Sequence, residues 1–282
     1  MPIWILSAPF GSAGILAAMA TIMFVHAHPD DEGTLTAGSM IRAADEGHTV
    51  VVVFATHGEH GEVPTDLEPG ETVAHRRMAE AGRAAEVAGV SRVHWLGYCD
   101  SGMTGWEQNS ATEAFLQADL DEAATKLAAL IDAEDVRVLV GYDWHGNYGH
   151  PDHVRVHQVV RRATELATLR PRLFEATMNR DQQRRQYEAA KAAGVEGVDD
   201  FNPDAPMNDG NPLGTPESEI NLQVDVSGLL ERRRAAMACH VSQVTDVQGL
   251  LSLPEEAFLG MFGNEHFIEV GSSTPMRRGW FF

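Results

Sequence analysis

This 282-residue sequence predicts an α/β protein built on a Rossmann-like, mostly parallel sheet flanked by helices. Three observations carry that prediction. Apolar, β-branched runs recur at 21–25, 49–55, 92–96 and 136–141, helix-length segments at 35–46, 72–88 and 112–133 separate them, and polar, Gly-containing sequence follows each run. Strands and helices alternating at this spacing make βαβ units, whose crossovers keep the strands parallel. The polar segments then collect at the carboxyl ends of the strands, the edge where open α/β sheets bind ligands.

Residues 1–20 are apolar, small and uncharged. A secretory signal would begin with basic residues, and Pro9, Gly11, Ser12 and Gly14 interrupt the run that a membrane helix needs. A loosely ordered extension is expected here, ahead of a single domain over 21–282. The run at 21–25 leads into His26-Ala27-His28-Pro29-Asp30-Asp31-Glu32, with a helix expected from Leu35. His28, Asp30 and Asp31 offer an imidazole and two carboxylates within one turn, so two of them can hold a metal ion while the third acts as a base.

The second run leads into His57-Gly58-Glu59 and the third into Gly97-Tyr98-Cys99-Asp100-Ser101-Gly102. The fourth opens Tyr142-Asp143-Trp144-His145-Gly146-Asn147-Tyr148-Gly149-His150-Pro151-Asp152-His153 and then a helix over 151–169. Two imidazole-rich clusters after two strands can meet at one sheet edge. Beyond 169 the pattern weakens: strands at 172–178 and 220–226 and helices at 181–193 and 229–240 surround a loop at 197–216 rich in Asp, Asn, Pro and Gly. This C-terminal part is read as a continuation of the same domain that shapes the pocket.

A formal charge of -20 argues against nucleic acid or an anionic membrane surface as partner. Cys99 and Cys239 form no Cys-x-x-Cys pair, so neither a disulfide framework nor a thiolate metal site is indicated, and a reducing, cytoplasmic setting is expected. Dinucleotide-binding, P-loop, nucleophile-elbow and His-Glu-x-x-His motifs are all missing from the sequence.

His28-Pro29-Asp30-Asp31-Glu32 together with Gly149-His150-Pro151-Asp152-His153 resembles the LmbE/PIG-L family of zinc-dependent N-acetylglucosaminyl deacetylases. Supporting matches at Thr56-x-Gly58-Glu59-x-Gly61-Glu62, Arg77-x-x-Glu80 and Asp100-Ser101-Gly102-Met103 extend the resemblance over most of 21–160. It implies that His28, Asp31 and His153 hold Zn2+, with Fe2+ an alternative for the same ligands in a reducing cytosol. Two His, one carboxylate and an open position suit a catalytic rather than a structural zinc. Asp30 becomes the general base, with a helix cap as its competing role. His150, as an imidazolium, would donate to the oxyanion. Asp152 either orients an imidazole or caps a helix. Tyr148 lies near the substrate carbonyl or packs a loop. Arg77, Glu80, Glu59 and Asp100 are implied as sugar contacts, with an Arg-carboxylate pair among them, whereas Arg76 reads as a surface ion pair. His26, His57, His60 and His145 read as packing or supporting residues, and His240-x-Ser242-Gln243 as a looser match that contributes to the pocket.

The implied reaction is hydrolysis of an N-acetyl group on a glucosamine-type sugar or glycoconjugate, releasing acetate and an amine. N-acetylglucosaminyl-inositol deacetylation, mycothiol S-conjugate cleavage and tailoring of natural products all belong to the family, and the residues leave that choice open, as they do homo-oligomerisation. A rival of another class is a non-catalytic metal- or carbohydrate-binding module. A metallophosphoesterase would need more carboxylates and often a second metal.

Overall fold

The computed structural model describes residues 19–194 and 202–282. Residues 1–18 of the expected extension and 197–201 of the expected loop lie outside the described residues. The strands are β1 (Thr21–His26), β2 (Thr49–Thr56), β3 (Arg92–Tyr98), β4 (Val136–Tyr142), β5 (Arg172–Thr177), β6 (Leu222–Asp225), β7 (Asn264–Glu269) and β8 (Arg277–Arg278). They form an eight-stranded sheet in the order β3-β2-β1-β4-β5-β7-β6-β8. The first five are parallel, β7 runs antiparallel to both β5 and β6, and β8 pairs parallel with β6.

Alternating side chains of β1 divide the core. Met23 and Val25 pack with α4 (Leu120–Ala133) and α5 (Pro151–Leu166) on one face of the sheet. Ile22 and Phe24 pack with α2 (Ala37–Asp45), α3 (Val73–Ala88) and the C-terminal Phe281 on the other. Helices α6 (Arg180–Ala192), α7 (Leu230–Met237) and α9 (Glu255–Phe262) complete the C-terminal part, with a single turn, α8 (Gly249–Leu251), before α9. Among the described residues no helix is long and apolar enough to cross a membrane.

Three details differ from the sequence expectation. The helix expected from Leu35 begins earlier, as α1 (Asp31–Leu35), and breaks at Thr36 before α2. The helix expected from 112 starts only after Asp119, whose side chain accepts from the Glu122 N–H and caps it; the preceding residues are held by a bridge between Cys99 and Ala114. Strand β7 was unanticipated because its buried residues include Glu265 and His266, so the apolar alternation that marks a strand is missing.

Candidate active site

β1 and β4 are neighbours, and the strand order reverses between them: the chain winds outward to β2 and β3 on one side and to β5 on the other. That reversal opens a crevice at the carboxyl ends of the two strands. The segment after β1 delivers His28, Asp30 and Asp31 to it, and the segment after β4 delivers Tyr148, His150, Asp152 and His153. The second segment turns tightly on Asp143, whose carboxylate accepts from the N–H groups of His145 and Asn147. Gly146 follows with φ 63°, and a Cβ there would collide with His153. His150 then caps α5, its Nδ1 accepting from the Asp152 N–H at 3.1 Å, and Pro151 occupies the first helical turn.

His28, Asp31 and His153 are all buried and meet. His28 Nε2 donates to Asp152 Oδ2 at 3.1 Å, which leaves Nδ1 facing Asp31 Oδ2 at 3.5 Å. His153 Nδ1 donates to the Gly146 carbonyl at 3.2 Å, which leaves Nε2 facing Asp31 Oδ1 at 3.2 Å. In the neutral tautomers that these bonds select, each imidazole lone pair points at a carboxylate oxygen, an arrangement that needs a proton or a metal cation between them. Tetrahedral zinc with bonds of ~2.0–2.2 Å would set its ligand atoms roughly 3.4 Å apart, close to both separations. The outer partners, Asp152 and the Gly146 carbonyl, are the supports that fix a metal-binding imidazole.

Burial would raise the Asp31 carboxyl, but His153 and His28 outweigh it and hold the group well below the usual carboxylate range. Burial would likewise lower His28, but Asp100, Asp152 and Asp31 raise it well above the usual imidazole value. Metal binding here must therefore displace a proton.

One donor atom from each residue falls mutually within 4.8 Å in two clusters, His28 with His150 and His153 and His28 with Asp100 and Asp152, whereas His28 and His153 reach Asp31 through its two different oxygens. The carboxylates of the second are already engaged. Asp152 accepts from the Ser101 N–H and hydroxyl, and Asp100 from the N–H groups of Gly102 and His60. In the first, the His150 Nδ1 is spent on its helix cap.

Asp30 sits beside these side chains with φ 100°, a left-handed conformation that costs a non-glycine residue about 1–3 kcal/mol. Its side chain caps no helix. Oδ2 instead accepts from Arg77 at 2.9 Å, and Arg77 also donates to the carbonyls of Gly58 and Pro29. Burial raises the Asp30 carboxyl to about 6, with Arg77 opposing it. The backbone is held from behind: the Asp30 N–H donates to Glu32 Oε2 at 2.9 Å, and Glu32 Oε1 accepts from His240 at 2.5 Å. Burial would push Glu32 up and His240 down, but their mutual attraction wins in both, making a buried imidazolium-carboxylate pair.

The remaining expected residues fall into place unevenly. His150 is nearly stacked edge-on against His28, with ring centroids 4.7 Å apart. Burial, with His28 and His153 beside it, lowers its pKa to about 2. That direction favours the neutral ring over the imidazolium expected from the sequence, and with Nδ1 accepting, Nε2 is the nitrogen left to carry a proton. Asp152 orients His28 and does not cap α5. Tyr148 and Asp100 line a cavity of about 410 Å³ with Asp30, His150, Trp106 and Gln243.

Arg77 forms an Arg-carboxylate pair, and its partner is Asp30. Glu80 accepts from the N–H and hydroxyl of Ser242. Glu59 accepts from the Asp100 N–H, and it lies outside the residues lining the cavity. Arg76 pairs with Asp66 and Glu71 at the surface, as expected. His26 is packed between Tyr142 and Thr36. Sequence reasoning missed Glu32, Ser101 and Trp106 as parts of the site. Glu32 stood inside the quoted motif, and only its distant partner reveals its task.

Residues 23–164 match the profile of the family described as PIG-L: GlcNAc-PI de-N-acetylase. The 1D-myo-inositol 2-acetamido-2-deoxy-alpha-D-glucopyranoside deacetylase of Nocardiopsis dassonvillei is 35% identical over 90% of this chain and 95% of its own. Two solved structures share the fold. The N,N'-diacetylchitobiose deacetylase of Pyrococcus horikoshii has a TM-score of 0.51 at 21% identity, covering 81% of this chain and 72% of its own. The 4-carboxy-2-hydroxymuconate hydratase of Pseudomonas putida has a TM-score of 0.55 at 16% identity, covering 92% and 99%. The fold alone therefore hosts different chemistries.

Proposed function

The chain belongs to the PIG-L family of de-N-acetylases, and from that premise we propose that it is a zinc-dependent amidase that removes the acetyl group from an N-acetylglucosaminyl-inositol. The observation that carries this reading is the meeting of His28 Nδ1, the Asp31 carboxylate and His153 Nε2 beside Asp30 at the switch point of the sheet.

His28, Asp31 and His153 would hold the zinc ion, which would supply Lewis acidity toward the amide carbonyl and toward water. The protein's own residues do the rest. Asp30 takes the proton from the attacking water, its pKa of about 6 placing it near the operating pH. Arg77 keeps that carboxylate aimed, and the Glu32-His240 pair fixes the backbone behind it. The Nε2–H of His150 donates a hydrogen bond to the oxyanion that develops on the former carbonyl oxygen, a donation that needs no imidazolium. The C–N bond then breaks, the amine takes up the proton that Asp30 holds, and acetate leaves. The polar cavity with Asp100, His60, Glu62 and Gln243 in its wall suits the sugar hydroxyls.

The test is release of primary amine from N-acetylglucosaminyl-inositol by zinc-loaded protein beside its Asp30→Asn variant. Turnover is expected to fall roughly 10²- to 10⁴-fold in the variant, with zinc still bound. Undiminished turnover in Asp30→Asn would remove Asp30 from this role, and zinc binding without turnover in the parent protein would favour a binding module.

A further inference from the structure

The wall of the catalytic cavity changes character from floor to rim. Its floor is buried and polar: His28, Asp31, Asp100 and His150 are each at most 7% exposed. The segment 101–109 brings two apolar side chains, Met103 and Trp106, to the same wall. Trp106 is 47% exposed there, so a large aromatic surface stands in water at the rim of a pocket whose depth is charged.

That exposed ring is held in place. The Trp106 N–H donates to the Met103 carbonyl at 3.0 Å, and the Trp106 carbonyl accepts from the Asn109 N–H at 3.1 Å. The Asn109 side chain also donates to the carbonyls of Ser101 and Met103. Gly102 takes φ 68°, and a Cβ there would lie 2.7 Å from the indole, so the ring rests against bare backbone. Gly102 in turn donates its N–H to Asp100, and Ser101 beside it donates to Asp152. The indole is thus anchored to the segment that supports the floor. A rigid aromatic surface of this kind loses little entropy when something covers it.

What covers it follows from the shape of the substrate. With the amide at His28, Asp31 and His153, the sugar carbon that bears the nitrogen lies deepest, and the hydroxyls of that ring meet the polar wall. The anomeric carbon is its neighbour, so the group on the anomeric oxygen is the next part outward and reaches the rim. A six-membered ring with mostly equatorial hydroxyls is polar around its edge and apolar on its two faces, where axial C–H bonds project. The electron-rich face of an indole attracts those hydrogens and takes that apolar face out of water. Resting on the amidase reading above, we infer that Trp106 is the platform for the second ring of the substrate, the one joined to the anomeric oxygen. The platform selects that ring by its C–H face and not by a particular set of hydroxyls. Glucosaminides of saturated six-membered rings, cyclitol or pyranose, are therefore better substrates than those of small alcohols.

The experiment measures kcat/KM by amine release from the zinc-loaded full chain, using methyl, cyclohexyl and inositol N-acetylglucosaminides of one anomeric configuration. Each ring compound should exceed the methyl compound about tenfold, the scale of burying one apolar ring face. The gain should lie in KM, because contact with a ring that does not react holds ground state and transition state equally. Trp106→Ala should cut the ring-to-methyl ratio about tenfold for both ring compounds, and Trp106→Phe should keep most of it. The ratio is the readout because a general loss of folding or turnover lowers both of its terms together.

An unchanged ratio in Trp106→Ala, with amine still released, would overturn the platform and leave the deacetylase reading standing. A preference for inositol over both methyl and cyclohexyl would overturn selection by the C–H face and place recognition in the hydroxyls. No amine from any of the three would overturn the amidase reading and the platform with it.

Discussion

The crevice between β1 and β4 and the C-terminal part from β6 onward contribute to the same site in different ways. The crevice supplies groups that face the reacting centre: His28, Asp30 and Asp31 come within five residues of the end of β1, and His150 and His153 eight and eleven residues beyond the end of β4. The C-terminal part supplies what stands behind them. His240 holds Glu32, Ser242 holds Glu80, and Arg233 with Glu265 ties the end of α1 to the start of α2 through Gly33, Thr34, Gly38 and Ser39. Chemistry is concentrated where the chain turns tightly, and rigidity is borrowed from far along it.

Breaking the front of the site should have the largest effect. His153→Ala removes a proposed ligand whose Nε2 faces Asp31, and is expected to abolish both turnover and stoichiometric zinc binding by metal analysis. Asp152→Asn tests the layer immediately behind. It weakens the acceptor that fixes the His28 tautomer and should cost roughly 10- to 100-fold in metal affinity in a chelator competition. Wild-type affinity would detach Asp152 from His28.

His240→Ala reaches the site only through Glu32 and the Asp30 backbone. Its kcat should fall on the order of tenfold with metal content unchanged, less than the ~10²-fold that a 1 Å misplacement can cost. A loss of metal instead would mean that the C-terminal part sets the ligands and not the base.

The smallest effect concerns stability and not turnover. Because burial lowers His266 to about 4, the unfolded chain, with its ordinary value near ~6.5, binds more protons between those limits. Stability is therefore fully present above that window and lost as pH falls through it, by about 2 kcal/mol from this residue between roughly pH 7 and 5. Denaturant unfolding of His266→Phe should show a correspondingly weaker acid sensitivity.

The same contrast explains what the sequence made legible. His28-Pro29-Asp30-Asp31 and His150-Pro151-Asp152-His153 announce themselves because ligand, base and support are close along the chain. Four parallel strands were equally plain from their apolar runs. Arg77 was seen, but its partner Asp30 was not, because that pairing depends on where α3 lies against the β1 segment. The helix cap and the burial that bear on the protonation of His150 exist only in the folded chain. Strand β7 was invisible, since buried Glu265 and His266 look like surface residues until their distant surroundings are known.

Zinc-edge anomalous diffraction from metal-loaded crystals would test the central claim most directly. One peak is expected, bounded by His28 Nδ1, the Asp31 carboxylate and His153 Nε2. A peak between His28 Nε2, Asp100 and Asp152 would contradict the ligand assignment and, with it, the roles given to Asp152 and Asp31.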